Sequence, residues 1–487
     1  MMNLNSNNFT IVTCFLLLFL SSCKKDFLEV IPKGKRIAEN TSDYNLLMNS
    51  PVFYMYQSGG WQAAVLMGDE IGAEQGEFNS SRPQVQRYFR WDAVIYDQLT
   101  DEAQDLRNFL PNIYACNLII NGVINSKNGT ESEKKVLQAE AAATRAWIYF
   151  QLVNLYAKPY QSSTANTDPG FPVITKADVM ENYFSRGTVQ QTYDFILNDL
   201  NTAIPDLPIN QPIATRMNKA AANALLAKVY LFMGKADLAL PLLNAAFDNN
   251  AAAVAPAKLY DYNATFAPGG SFLPISSRSG PASPGNIVND FTESVLAKTF
   301  GNSYASGNSG IVITPETAGL YSTGDFRLNF YTNLNMSGAV IPGGRLRKYG
   351  VSFSKFGIAL SEMYLLRAEC KARLNDLIGA KADLETLRIK RIAPAKASVP
   401  TNIAADRILL IKFIFDERIR EFAAEGYRWF DMRRLSVDPL FSGLTFTHNI
   451  YPASGPALIN ELQLPARLVL KLPPNIMAAN PSFQNNP

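Results

Sequence analysis

The stretch from residue 131 to residue 158 sets the tightest limit on what this chain can fold into. Apolar residues recur there at intervals of three and four, and Trp147, Tyr149, Phe150, Leu152, Val153, Leu155 and Tyr156 crowd its second half. The spacing predicts one long helix. Its ends are readable too: Thr130 or Ser132 can cap the first turn, Glu131 and Glu133 suit the positive helix N-terminus, and Pro159 stops the run. So many aromatic rings on one helix predict burial on more than one face, so this helix must lie among others.

Neighbours of the right kind follow. From about residue 100 the helical period dominates. In the segment 216–248, Leu226-Ala227, Tyr230, Gly234 and Ala239 are spaced as in the tetratricopeptide helix-turn-helix, which the segment resembles. The physical logic is that small residues such as Ala227 and Ala239 let two antiparallel helices approach closely, while Tyr230 fills the groove and Gly234 makes the turn. Segment 358–393 repeats the theme more loosely, with Leu366, Ala368, Leu374, a turn near Asn375-Asp376, and Ala380. A further long helix is expected over 404–425. The fold class expected is mainly α: a tetratricopeptide-like helical repeat scaffold over about 100–250 and 353–435.

Two segments break this pattern. Residues 251–352 are rich in Gly, Ser, Pro and Asn (Ala267-Pro268-Gly269-Gly270, Ser306-Gly307-Asn308-Ser309-Gly310) and show little helical period. Tyr260, Tyr262, Phe266, Phe272, Phe291, Tyr304, Tyr321 and Tyr331 punctuate them, which argues for an ordered, loop-rich region rather than a disordered one. A comparable irregular, aromatic-bearing stretch lies at 50–99.

The N-terminus is a targeting segment by its pattern. Residues 11–20 form an apolar run too short to span a bilayer, which takes about 20 residues, and read as the core of a signal peptide covering 1–22. Leu20-Ser21-Ser22-Cys23 resembles the box cut by the lipoprotein signal peptidase, so Cys23 is expected to become the lipidated first residue of a single domain, 23–487. The expected positive charges before the apolar run are missing from residues 1–10. Lys24, Lys25 and Asp26 would form a wet tether, and the acyl chains would hold the protein on a membrane without a spanning helix.

Composition removes several function classes. With 45 Lys+Arg against 42 Asp+Glu the formal charge is +3, leaving no large footprint for nucleic acid. One histidine, His448, excludes multi-His metal sites and disfavours Ser-His and Cys-His nucleophile pairs. No metal and no cofactor is expected. Cys116 and Cys370 sit in half-apolar helical segments and read as small buried thiols, with a bridge between them left open. The acid pairs Asp69-Glu70, Asp101-Glu102 and Asp416-Glu417 read as solvated helix or loop acids. Glycoside hydrolysis needs two carboxyls at a defined separation, which adjacency does not supply. No catalytic residue is expected.

Near the C-terminus, Glu417, Arg418, Glu421, Glu425, Gly426, Arg428, Trp429, Asp431 and Arg434 fit in order the pattern E-R-x-x-E-x-x-x-E-G-x-R-W-x-D-x-x-R. The segment resembles the signature of SusD-like (SusD/RagB) proteins. Further agreements run along the chain: Cys23-Lys-Lys-Asp, Tyr114-x-x-Asn117, Arg145-Ala146, Asp325-x-Arg327, Leu365-Leu-Arg-Ala-Glu369 and Leu472-Pro473. The resemblance implies a surface-exposed, lipid-anchored protein of the outer membrane. Such a protein captures oligosaccharide or a similar nutrient for a SusC-like TonB-dependent transporter and catalyses nothing. The signature's own charges read as structural, tying a helix end to the scaffold.

Sugar recognition needs flat aromatic faces for the apolar side of a pyranose and amide, carboxylate or guanidinium groups for its hydroxyls. Trp61, Tyr88 and Trp91, beside Asn79, Arg82 and Asp92, are the expected ligand-binding constellation, with Tyr304 added from the later loop. Trp147 and Trp429, in helical and signature context, are expected in the core. The competing expectation is a helical-repeat adaptor that binds only proteins and has no small-ligand affinity.

Overall fold

The structure, a computed structural model, describes residues 38–178, 180, 184–302, 310–349 and 352–487. The signal segment and Cys23 lie outside the described residues, as does Tyr304.

Helix α1 (Gln104–Gly122) runs beside α2 (Glu131–Tyr156), the long helix expected from its period. The Thr130 hydroxyl accepts from the Glu133 amide while the Glu133 carboxylate takes the Thr130 amide, satisfying two of the helix's orphan donors. From Ala143 through Tyr156 every residue of α2 is buried. That burial takes Arg145 and Glu140 out of water, so each has a charged partner. Arg145 grips Asp199 of α3 (Val189–Ala203) with two bonds of 2.8 Å, and Glu140 pairs with Arg216 at 2.7 Å.

Helices α4 (Lys219–Phe232) and α5 (Ala236–Ala251) form the first antiparallel pair. Gly234 turns the chain between them at φ +77°; a Cβ there would meet nothing within 4 Å, so backbone conformation rather than space demands glycine. Ala227, Ala236 and Ala239 pack with Leu366 and Cys370 of α6 (Leu360–Arg373) in one small-residue cluster. The second pair, α6 and α7 (Leu377–Arg388), turns through Asn375 at φ +67°, and the Asp376 carboxylate caps α7 through the Gly379 amide. Cys116 and Cys370 are free and buried, which closes the question of a bridge between them.

Helices α8 (Arg407–Phe422) and α9 (Tyr427–Leu435) carry the signature. Gly426, at φ +90°, starts α9 where a Cβ would stand 3.2 Å from the Trp61 Cβ and 3.3 Å from the Val65 amide nitrogen. Both conformation and space require glycine there.

Outside the scaffold the chain makes short strands. Strands β1 (Ile71–Glu74), β2 (Ile311–Ile313), β3 (Thr447–Tyr451) and β4 (Leu458–Glu461) form one sheet in the order β4-β3-β1-β2, antiparallel except between β1 and β3. Two two-stranded ladders stitch the late irregular segment to the start of the following scaffold, Ser294–Leu296 with Ile358–Ala359 and Thr299–Phe300 with Ser354–Lys355, and a third, Tyr331–Thr332 with Arg347–Lys348, closes within the segment. Among the described residues, no helix is long and apolar enough to cross a membrane.

Candidate functional site

The signature residues form a buried ionic clamp between α8 and the late irregular segment. Glu417 receives Arg327 at 2.8 Å, Arg388 at 2.6 Å and Arg420 at 2.7 Å. One turn on, Glu421 takes Arg327 at 3.1 Å and Arg391 at 2.9 Å, and Arg391 reaches Glu293 at 2.8 Å. Burial alone would raise the Glu417 carboxyl, but the three arginines hold it well below the usual carboxylate range. Arg418 meets Asp431 at 2.7 Å, Arg434 meets Glu369 at 2.6 Å, and Arg428 reaches back to Asp69 at 2.5 Å. The charges therefore tie the signature helices to irregular segments as well as to the scaffold. Removing one member of such a set typically costs about 3–5 kcal/mol, because its partners stay buried and uncompensated.

A cleft opens where this clamp meets the loops. Its floor is Tyr331, Phe422 and Tyr427, all buried, with Phe422 and Tyr427 stacked at 4.0 Å. Partly buried Tyr262, Phe330 and Phe353 stand around its walls; Arg391 lies over the Tyr262 ring at 4.3 Å, and Phe330 packs against Tyr262, Phe266 and Phe272. Between the rings lie the hydroxyls of Ser283, Ser294 and Ser361 and the charged groups of Asp290, Glu293, Lys355 and Glu425. The free space is about 140 Å³.

Several of the cleft's polar groups are fixed by the protein. Glu425 is held by Lys348 at 2.6 Å, and Asp290 accepts from the Tyr260 hydroxyl at 2.7 Å. The Lys355 ammonium donates to the carbonyls of Ile287 and Val288 at 3.3 and 3.1 Å, which occupies two of its three protons. Burial pushes the Lys355 ammonium down to about 8 and raises the Glu293 carboxyl. Chemically the cleft combines flat apolar faces with pre-positioned donors and acceptors, the pairing that a hydroxyl-rich ring needs. Among the described residues, no group of three His, Cys, Asp or Glu side chains is placed to hold a metal ion.

The residues expected from sequence to bind ligand lie elsewhere. Trp61 is 2% exposed: its indole donates to the Gln151 amide oxygen at 2.8 Å, and Phe356, Tyr427 and Phe430 pack on it with centroids 5.2, 4.6 and 4.7 Å away. Trp91 is 5% exposed, stacked on His448 at 3.9 Å and bonded through its indole to the Met67 carbonyl. Tyr88 is buried with its hydroxyl against that of Tyr96. Asn79 and Arg82 are exposed at the ends of short helices, and Asp92 pairs with Arg90 at 3.1 Å. The three rings face the core while Asn79 and Arg82 face solvent, so these residues do not converge on one opening. Trp147 and Trp429 are core residues, as their context implied.

Sequence reasoning had named Tyr262 and Tyr331 only as signs of order, and it missed Phe330, Phe353 and Lys355. The available signal was the ionic signature. A helix with acids at Glu417 and Glu421, followed in the next turn by Glu425, needs cationic partners, and where Arg327 and Lys348 come to meet them, their loops come too.

The protein is a mainly α helical-repeat scaffold with a cleft, partly walled by aromatic residues, under a loop-rich face. The family profile described as starch-binding associating with outer membrane matches residues 26–231, and the SusD family profile matches residues 353–464. The chain belongs to the SusD/RagB family. Solved structures share its fold at low identity. A protein from Bacteroides vulgatus described as sugar-binding is 20% identical, with a TM-score of 0.68 over 93% of this chain and 99% of that one. A SusD superfamily protein from Bacteroides thetaiotaomicron is 19% identical, with a TM-score of 0.68 over 92% of this chain and 100% of that one. A SusD-like carbohydrate-binding protein from Bacteroides vulgatus is 16% identical, with a TM-score of 0.63 over 91% and 97%. No curated protein matches the chain.

Proposed function

We propose that this protein captures a saccharide or a similar hydroxyl-rich nutrient in the cleft above α8, without chemical change, and passes it to a SusC-like TonB-dependent transporter of the outer membrane. The carrying observation is the cleft itself, which partly buried Tyr262, Phe330 and Phe353 line beside fixed polar groups. The family's description as starch-binding and the sugar-binding descriptions of two fold neighbours support the same reading. Family members are binding proteins rather than enzymes. Of the cleft's acids, Glu421 fits that role: against the burial that would raise it, Arg391 and Arg327 hold its carboxyl below the usual carboxylate range, which opposes general-acid work. Lipidation of Cys23 would hold the protein at the outer membrane, facing the exterior.

The test is calorimetric titration of the mature chain with an oligosaccharide panel, with chromatography of the recovered glycan. Saturable binding of a glycan recovered intact is expected. Shortened products, or no binding together with retention of a transporter, would defeat the reading. The second reading, an adaptor that binds only proteins, draws on edge strand β4, where Leu458 is 50% and Ile459 69% exposed. It predicts protein retention and silence toward every glycan.

A further inference from the structure

A second recess lies across the ridge formed by residues 290–295, bounded by the loops at 209–218 and 249–258. It is an open groove with about 890 Å³ of free space, against about 140 Å³ for the cleft. Ser294 lines both recesses. Their chemistry differs sharply. The cleft is lined by acids, lysines and arginines, whereas Lys258 is the one ionisable side chain among the residues lining the groove.

Four amide side chains in the groove are each anchored at one end. Asn210 accepts from the Val254 amide at 2.8 Å and Asn218 from the Ala221 amide at 2.8 Å, so each has its NH2 group left over. Asn249 donates to the Ala245 carbonyl at 2.7 Å and Gln211 to the Met217 carbonyl at 3.0 Å, so each has its carbonyl oxygen left over. The remaining ends have no partner among the described residues. Two donors and two acceptors are thus held in place at little further ordering cost, an arrangement that suits hydroxyl groups, which both give and accept. Apolar surface accompanies them: Ile213 is 44% and Val254 89% exposed, and the half-buried Phe291 ring adds a flat wall.

We propose that this groove is a second ligand site, for an extended neutral oligosaccharide, separate from the cleft. Neutrality follows from the lining: an anionic glycan would find one lysine, and a cationic ligand would find no carboxylate. The volume gives room for several sugar rings. A peptide in extended form would pair along a sheet edge, whereas the groove's walls are mostly helix ends and loops, with only the two residues Ser294–Val295 drawn from a strand.

The site is tested by hydrogen–deuterium exchange on the mature chain with maltoheptaose, cellohexaose, xylohexaose, mannohexaose and, as the charged control, hexagalacturonate. The expected result is slowed exchange in 209–218 and 249–258 with at least one neutral glycan. It should persist in Phe353→Ala and weaken roughly tenfold or more in apparent affinity in the double variant Asn210→Ala, Asn249→Ala, which removes one exposed donor and one half-exposed acceptor. Slowed exchange confined to 283–294 and 348–361 would overturn this proposal and leave the cleft reading standing. Slowing in the groove by hexagalacturonate alone, or by none of the five, would overturn it as well.

Discussion

The two irregular segments of this chain both carry many aromatic rings, and the rings meet different fates. In residues 50–99 the rings turn inward, so that Trp61 packs on Phe356, Tyr427 and Phe430, and Trp91 lies flat on His448. In residues 251–352 the rings of Tyr262 and Phe330 stay half-exposed above a cleft. The difference lies in what covers each segment. The early one is roofed by α9 and β3, and Gly426 lets α9 start where an added Cβ would stand 3.2 Å from the Trp61 Cβ. The late one is held down at points, by the short ladder of Thr299–Phe300 with Ser354–Lys355 and by arginine–carboxylate pairs, and Tyr262 and Phe330 stay only partly buried. An aromatic in a loop-rich sequence is therefore a binding candidate only if its segment is pinned rather than covered.

That contrast can be broken by substitution. Trp61→Ala should cost about 3–5 kcal/mol of stability, since it empties a fully packed site, and should leave glycan affinity in the folded fraction unchanged. Urea unfolding and calorimetry on the same preparation check both halves. A loss of affinity at constant stability would return Trp61 to the binding site.

Glu417→Gln should destabilise by a similar amount, about 3–5 kcal/mol, because Arg327, Arg388 and Arg420 lose their common carboxylate. Its pH dependence has a definite sign. The arginines lower the carboxyls of Glu417 and Glu421 in the folded state, so their contribution is complete above the ordinary carboxylate value and disappears as pH falls through the lower folded values. Acid unfolding of Glu417→Gln should therefore be shallower than that of the parent chain. An identical acid transition would mean that the clamp does not govern the late segment.

Much of the scaffold was readable in advance. The period and capping residues of 131–158 gave the helix at Glu131–Tyr156, and the small residues around Gly234 gave the pair α4 and α5. The candidate site was less readable, for a physical reason. Whether a ring is covered depends on long-range packing, such as α9 over Trp61 or Trp91 on His448, which separates partners by hundreds of residues. The local sequence around Trp61 and Trp91 looks as loop-like as that around Phe353, and only the tertiary roof distinguishes them.

Smaller effects sharpen the contrast from the cleft side. Phe353→Ala should cost less than about 3 kcal/mol of stability, since the side chain is only partly buried, while weakening glycan binding about tenfold by removing a stacking face. Equilibrium titration and thermal unfolding separate the two effects. If the Lys355 ammonium gives its third proton to ligand, affinity should fall severalfold as pH rises through about 8, where burial places its deprotonation. In Lys355→Met that pH dependence should vanish. The least effect is expected at the thiols. Burial pushes Cys116 up to about 12, and Cys370 is raised for the same reason, so neither should react with iodoacetamide in the folded protein. Rapid labelling, followed by mass spectrometry, would expose a core more open than this structure.

The central claim is that ligand is held at the pinned segment and left unaltered. The most direct measurement is titration of the mature chain, Trp61→Phe and Phe353→Ala with the same oligosaccharide series, followed by recovery of the glycan. The account predicts saturable binding in the first two, a loss of about tenfold in Phe353→Ala, and a glycan recovered at its original length. Equal affinity in all three proteins, or a shortened product, would contradict it.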